Sequence, residues 1–143
     1  MKKQSYSNHK RFNPLFHGVL FAMVLTTFVL SAINLIQNIQ TDFLFESGII
    51  MMMSIIIVLF FFFIRFFGVR LQDRVIRAEE NFRHYQLTGK PLDHRLRMQQ
   101  IIALRFSPDE EFPELCEKAI QEHLLGEEIK KTVSKWKGDY HRI

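Results

Sequence analysis

The sequence has a single cysteine, Cys116, so no intrachain disulfide can form, and a lone thiol in a charged segment fits a reducing compartment. Between Phe12 and Ile64 there is no Lys or Arg, and only Asp42 and Glu46 are acidic. A phosphate-binding loop, a G-x-G-x-x-G turn, an H-E-x-x-H helix and a C-x-x-C pair are all missing. The six histidines, His9, His17, His84, His94, His123 and His141, do not pair at ligand spacing. Cys116 and His123 fall two turns apart on one helical face, which could describe a metal pair or a nucleophile. A buried apolar stripe with a polar neighbour explains the spacing more simply. Met51, Met52 and Met53 offer thioethers for soft metals, but consecutive residues diverge by about 100° on a helix and do not converge. No metal, cofactor or enzymatic activity is expected.

What the chain does have is a sharp internal division. Its 143 residues average a hydropathy of −0.01, yet the first half is nearly uncharged and the second is dense in charge. Apolar segments run from Leu15 to Ile36 and from about Gly48 to Phe67. Each approaches the roughly 20 residues that span a bilayer as a helix. Asn13 and Pro14 read as a cap and a first helical residue. The first segment exceeds the core of a cleaved signal and lacks an A-x-A site, so it is expected to be retained. The organisation is then a basic N-terminus over 1–13, a transmembrane hairpin over 14–67 with an outer loop at 37–47, and a helical domain over 68–143.

Orientation follows from the cations. Lys2, Lys3, Lys10 and Arg11 precede the first span, Arg65, Arg70, Arg74 and Arg77 follow or close the second, and the loop between has neither Lys nor Arg. The positive-inside rule places both termini in the cytoplasm. Arg65, set among phenylalanines, and Arg70 read as interface anchors whose guanidinium groups reach anionic lipid headgroups. A cation lining a transport path is the alternative for Arg65, and no acidic residue inside either span supports it.

In the first span, Gly18, Ala22 and Thr26 recur every four residues as a small face for helix packing. Thr27, Ser31 and Asn34 form a polar stripe able to bond across to another helix or back to their own backbone. From Ile64 a 4-3 spacing continues through Gly68, Leu71, Val75, Ala78, Phe82 and Tyr85. That is a heptad seam, and it predicts that the second span runs on as one helix to the turn signal at Thr88–Pro91. The seam faces either this chain's own domain or another copy.

Further helices are expected over Leu92–Phe106, after a cap at Ser107 with Pro108 and Glu110, and after Gly126 with Glu127 and Glu128 in the first turn. Phe112, Leu115, Cys116, Ala119, Ile120 and His123 mark one apolar face, and Ile129, Val133 and Trp136 another. The whole is expected to be all-α. The basic stretch IKKTVSKWK has one aromatic and an acidic neighbour, so no nucleic acid is expected.

LQDRVIRAEE, QIIALRFSPDEEFPEL and IKKTVSKWKGDYHRI resemble an uncharacterised family of small bacterial membrane proteins with two spans and a charged helical tail. The resemblance covers most of the chain. It implies that architecture and a bacterial inner membrane, and no activity. In the ending Trp136-x-x-Asp139-x-x-Arg142-Ile143, Trp136 is placed to pack under the core. Asp139 and Arg142 could form a local ion pair or recognise a partner. The function expected is a membrane-anchored interaction or scaffold protein that self-associates or meets another membrane protein. A small subunit of an oligomeric transporter or channel, with Thr27, Ser31 and Asn34 along a path, is the alternative.

Overall fold

A computed structural model of the chain describes residues 14–138. Among these the fold is all-α, with no strand. A π-helical segment (Leu15–Leu20) leads into α1 (Phe21–Gln37). After it come α2 (Leu44–Thr88), α3 (Met98–Leu104), α4 (Phe112–Gln121) and α5 (Gly126–Thr132). The described residues divide into two compact units, one up to Val69 and one from Arg70.

In the first unit, Leu15–Gln37 and the apolar part of α2 are each long and apolar enough to cross a membrane, with mean hydropathies of 2.3 and 2.8. Pro14 stands at the start with φ −65°, suited to a helix opening, and the expected cap at Asn13 lies outside the described residues. The second helix begins at Leu44, before the apolar run starts at Gly48. The reason is local. Thr41 accepts the Phe43 N–H on its hydroxyl at 3.2 Å and the Leu44 N–H on its carbonyl at 3.3 Å, satisfying amides that a helix start leaves open. Hydropathy marked the apolar limit rather than the helix limit.

α2 stays helical past Arg65 and Gly68, as the seam spacing predicts, and ends at Thr88. Gly89 then takes φ +71° and its N–H bonds the Tyr85 carbonyl at 2.8 Å, a left-handed cap that glycine adopts without strain.

The second unit buries Ile76 of α2 with Leu96, Ile101, Leu104, Phe106, Phe112, Leu115, Ala119, Ile129 and Val133. On α4 the buried Phe112, Leu115, Cys116 and Ala119 follow i, i+3, i+4, i+7, so one face drives the packing. Each fully buried side chain of the size of Phe106 or Phe112 contributes about 1.5–3 kcal/mol. α5 begins at Gly126, where Glu128 accepts the Leu125 N–H at 2.6 Å, as the Glu-Glu start predicts.

Three expectations change. Only Met98–Leu104 of the segment Leu92–Phe106 is α-helical. Upstream, the Leu92 N–H is taken by the Asn81 side chain at 2.8 Å, and Asp93 is forked by Arg95, so residues before Met98 follow side-chain partners. Ser107 does not cap α4; its buried hydroxyl donates to the Leu104 carbonyl at 2.6 Å and closes α3 instead. α4 starts at Phe112, with Pro113 in its first turn. His123 lies beyond α4 at φ 51° rather than on its apolar face, and the Leu124 N–H reaches the Ala119 carbonyl at 3.2 Å to complete the stop.

Candidate interaction surface

From Arg70 onward α2 has two faces. The inner one carries Ile76, Glu80 and Arg83, spaced to meet the core of the second unit. Arg83 is its hub. Its guanidinium donates to Glu80 at 3.0 Å, Asp109 at 2.7 Å and the Ser107 carbonyl at 2.8 Å, and lies 4.2 Å from the Phe112 ring centroid. Five fixed donors on a planar cation make such a junction possible. Lys137 closes the arrangement from the tail, with its ammonium 3.3 Å from Asp109 and its backbone N–H on the Phe106 carbonyl at 2.8 Å.

Burial raises the Glu80 pKa despite Arg83, whereas the Arg83 hydrogen bond lowers that of Asp109. The signs oppose. The Asp109 contribution to stability is complete above its ordinary value of 3.8 and fades as pH falls through its lowered folded value. That of Glu80 is complete below 4.5 and is lost as pH rises through its raised folded value.

The outer face of the same helix carries the apolar seam, and among the described residues nothing covers it. Leu71 is 63%, Val75 48%, Phe82 61% and Tyr85 56% exposed, and Ala78 is exposed among them. Residues at 4-3 spacing line one side of a helix, so these side chains form one continuous apolar stripe. Of the two occupants that the spacing allows, the described part of the chain's own second unit is not the one.

An open cleft of about 890 Å³ lies elsewhere on this unit, between the segment after α2 and α4. Three of its polar side chains are engaged within the chain: Arg95 forks Asp93 and holds that carboxyl at about 2, and the Gln100 amide serves the Ala119 and Leu124 carbonyls. Cys116, which contributes to the wall, has its thiol pushed up to about 12, by burial first and the Glu80 charge second. A thiol so placed stays protonated near neutral pH, the opposite of an activated nucleophile.

In the hairpin unit the polar stripe divides. Ser31 donates to Ser54 across the helices at 2.7 Å, and the Asn34 amide reaches Ser47 at 3.4 Å. Asn38 donates to the Asn34 side-chain oxygen at 2.9 Å. Thr27 bonds back to the Met23 carbonyl at 2.9 Å. Met51 turns its sulfur to Ser31 at 3.4 Å, whereas Met52 and Met53 point outward. Gly18, Ala22 and Thr26 are exposed, so the helices of one hairpin meet through the serine–asparagine face instead. Arg65 lies 6.0 Å from the centroid of Phe16, which stacks on Phe61 at 4.8 Å; the cation is thus level with the start of the first helix. Arg70 is exposed. Trp136 follows α5 rather than extending its face, and stacks on Phe106 at 4.7 Å. Asp139 and Arg142 lie outside the described residues.

The chain belongs to a family of unknown function (DUF6526), whose model matches residues 1–143. No curated protein and no solved structure matches it.

Proposed function

We propose that this protein is a membrane-anchored interaction scaffold: the hairpin fixes it in a bacterial inner membrane with both termini cytoplasmic, and the second unit presents an association surface there. The observation that carries the proposal is the bare apolar stripe on α2, Leu71 to Tyr85, on a helix that emerges from an apolar span. Contiguous exposed apolar surface marks an interaction site. The absence of Lys and Arg from the link between the spans, against cations on both flanks, supports the orientation. Anionic headgroups near Arg65 and Arg70 would hold the hairpin at its depth. In the transporter alternative, Ser31 and Asn34 would line a path between chains. Their bonds to Ser54 and Ser47 within one hairpin support a packing role.

A photoreactive amino acid placed at Phe82 in native membranes tests the surface. Protein adducts are expected at this position. Adducts to lipid alone would show that the stripe rests on the bilayer and would refute the scaffold.

A further inference from the structure

The occupant of the bare stripe can be read from its register. Gaps of four and three alternate along Ile64, Gly68, Leu71, Val75, Ala78, Phe82 and Tyr85. A four-residue gap leads from d to a, and a three-residue gap from a to d. Val75 and Phe82 are therefore a positions, and Leu71, Ala78 and Tyr85 are d positions. One a position is β-branched (Val75) and the d position before it is leucine (Leu71), the combination that favours two parallel strands. The flanking positions follow without choice: Arg74 is g, and Glu79 is e of the next heptad. Both are exposed, and both flank the stripe rather than the core of their own chain.

In a parallel pair, g of one helix meets e of the next heptad on the other. Arg74 of each copy then faces Glu79 of the other, twice by symmetry. The remaining g–e combinations in reach, Phe67 with Gln72 and Asn81 with Gln86, bring no like charges together. An antiparallel pair would lose both attractive contacts, since it matches g with g and e with e. Two copies inserted in the same sense can only be parallel, so the charges and the membrane demand the same arrangement. A seam of about two heptads is short for free helices in water. Confinement to one membrane raises the effective concentration and removes that objection. The inner face of α2, with Ile76 at b, Glu80 at f and Arg83 at b, remains on its own core, so docking needs no rearrangement of the unit.

We infer that a second copy of this chain docks on the stripe as a parallel two-stranded coiled coil, with Arg74 of each copy paired to Glu79 of the other. This rests on the scaffold reading above and names its partner. Ala78→Cys, at a d position, should crosslink to itself by oxidation in native membranes. Arg77→Cys, at an outward c position, should not. Cys116 is buried and should give no background. Arg74→Glu alone and Glu79→Arg alone should each lower the Ala78→Cys crosslink yield about tenfold, since two attractive pairs become repulsive. The double exchange should restore it. All these residues are exposed, so the variants should fold. Absence of the Ala78→Cys crosslink would overturn the inference, and photoadducts from Phe82 to a different protein would then preserve the scaffold reading alone. A crosslink indifferent to both charge reversals would overturn the register.

Discussion

Replacing Arg83 with methionine is expected to destabilise the second unit by about 3–5 kcal/mol, the range found when one member of a buried ion pair is removed. Arg83 and Glu80 are 12% and 11% exposed along their side chains. Without the guanidinium, Glu80 is left buried without its hydrogen-bonded cation, the Ser107 carbonyl loses the Arg83 donor, and Asp109 keeps only Lys137. Arg83→Lys should recover only part of this, because one ammonium cannot serve three separated acceptors and lie flat over Phe112 as well. Adding Glu80→Gln to Arg83→Met should relieve part of the loss by removing the stranded charge. Trp136 is the only tryptophan and stacks on Phe106, so its fluorescence during denaturant unfolding reads the unit directly. A loss under about 1 kcal/mol for Arg83→Met would mean that the junction contributes no more than an exposed ion pair.

Gly126→Ala is expected to cost about 1–3 kcal/mol in the same measurement, because overpacking forces a backbone shift. A Cβ at Gly126 would stand 2.8 Å from the Gln99 carbonyl oxygen, which belongs to the backbone and cannot turn aside. α5 rests on α3 at this point, so the added methyl pushes the two helices apart. Gly68→Ala is the control. No atom beyond its own stretch of helix lies within 4 Å of a Cβ built there, and alanine is the better helix former by about 1 kcal/mol, so within one chain that change should be neutral or stabilising. Equal behaviour of the two variants would remove the close approach as the reason for glycine at Gly126.

The parts of this fold that were legible in the sequence were those decided locally. The continuation of α2 past the apolar run and its end followed from a run that passes without a break into a 4-3 pattern and stops at a glycine, although its start at Leu44 did not. The start of α5 followed from Gly126-Glu127-Glu128. Elements decided by distant partners were not legible. Ser107, Pro108 and Glu110 make a good local cap, but the Ser107 hydroxyl is buried and turns back to Leu104. Leu92 was drawn out of helix by Asn81, eleven residues before it. On the first span both the small face and the polar stripe were visible, Asn34 among the packing candidates, but not that Ser31 and Asn34 would meet α2 while Gly18, Ala22 and Thr26 stay exposed. At the candidate surface the apolar stripe could be read, and its exposure could not, because the core could have covered either face of the helix. The Arg83 junction was missed altogether. Glu80 and Arg83 stand three apart on a helix, a weak signal by itself, and nothing local ties them to Asp109 and Lys137.

The proposed anchoring in one orientation is tested most directly by cysteine labelling in intact cells with a membrane-impermeant maleimide. Gln40→Cys reports the link between the spans and leaves the Thr41 cap in place. Glu122→Cys reports the exposed end of α4. Native Cys116 should stay silent on either side, because it is buried and its thiol is pushed up to about 12. Gln40→Cys should react in intact cells, and Glu122→Cys only after the membrane is opened. Labelling of Glu122→Cys from outside, with Gln40→Cys protected, would contradict the orientation and with it the scaffold at the cytoplasmic face.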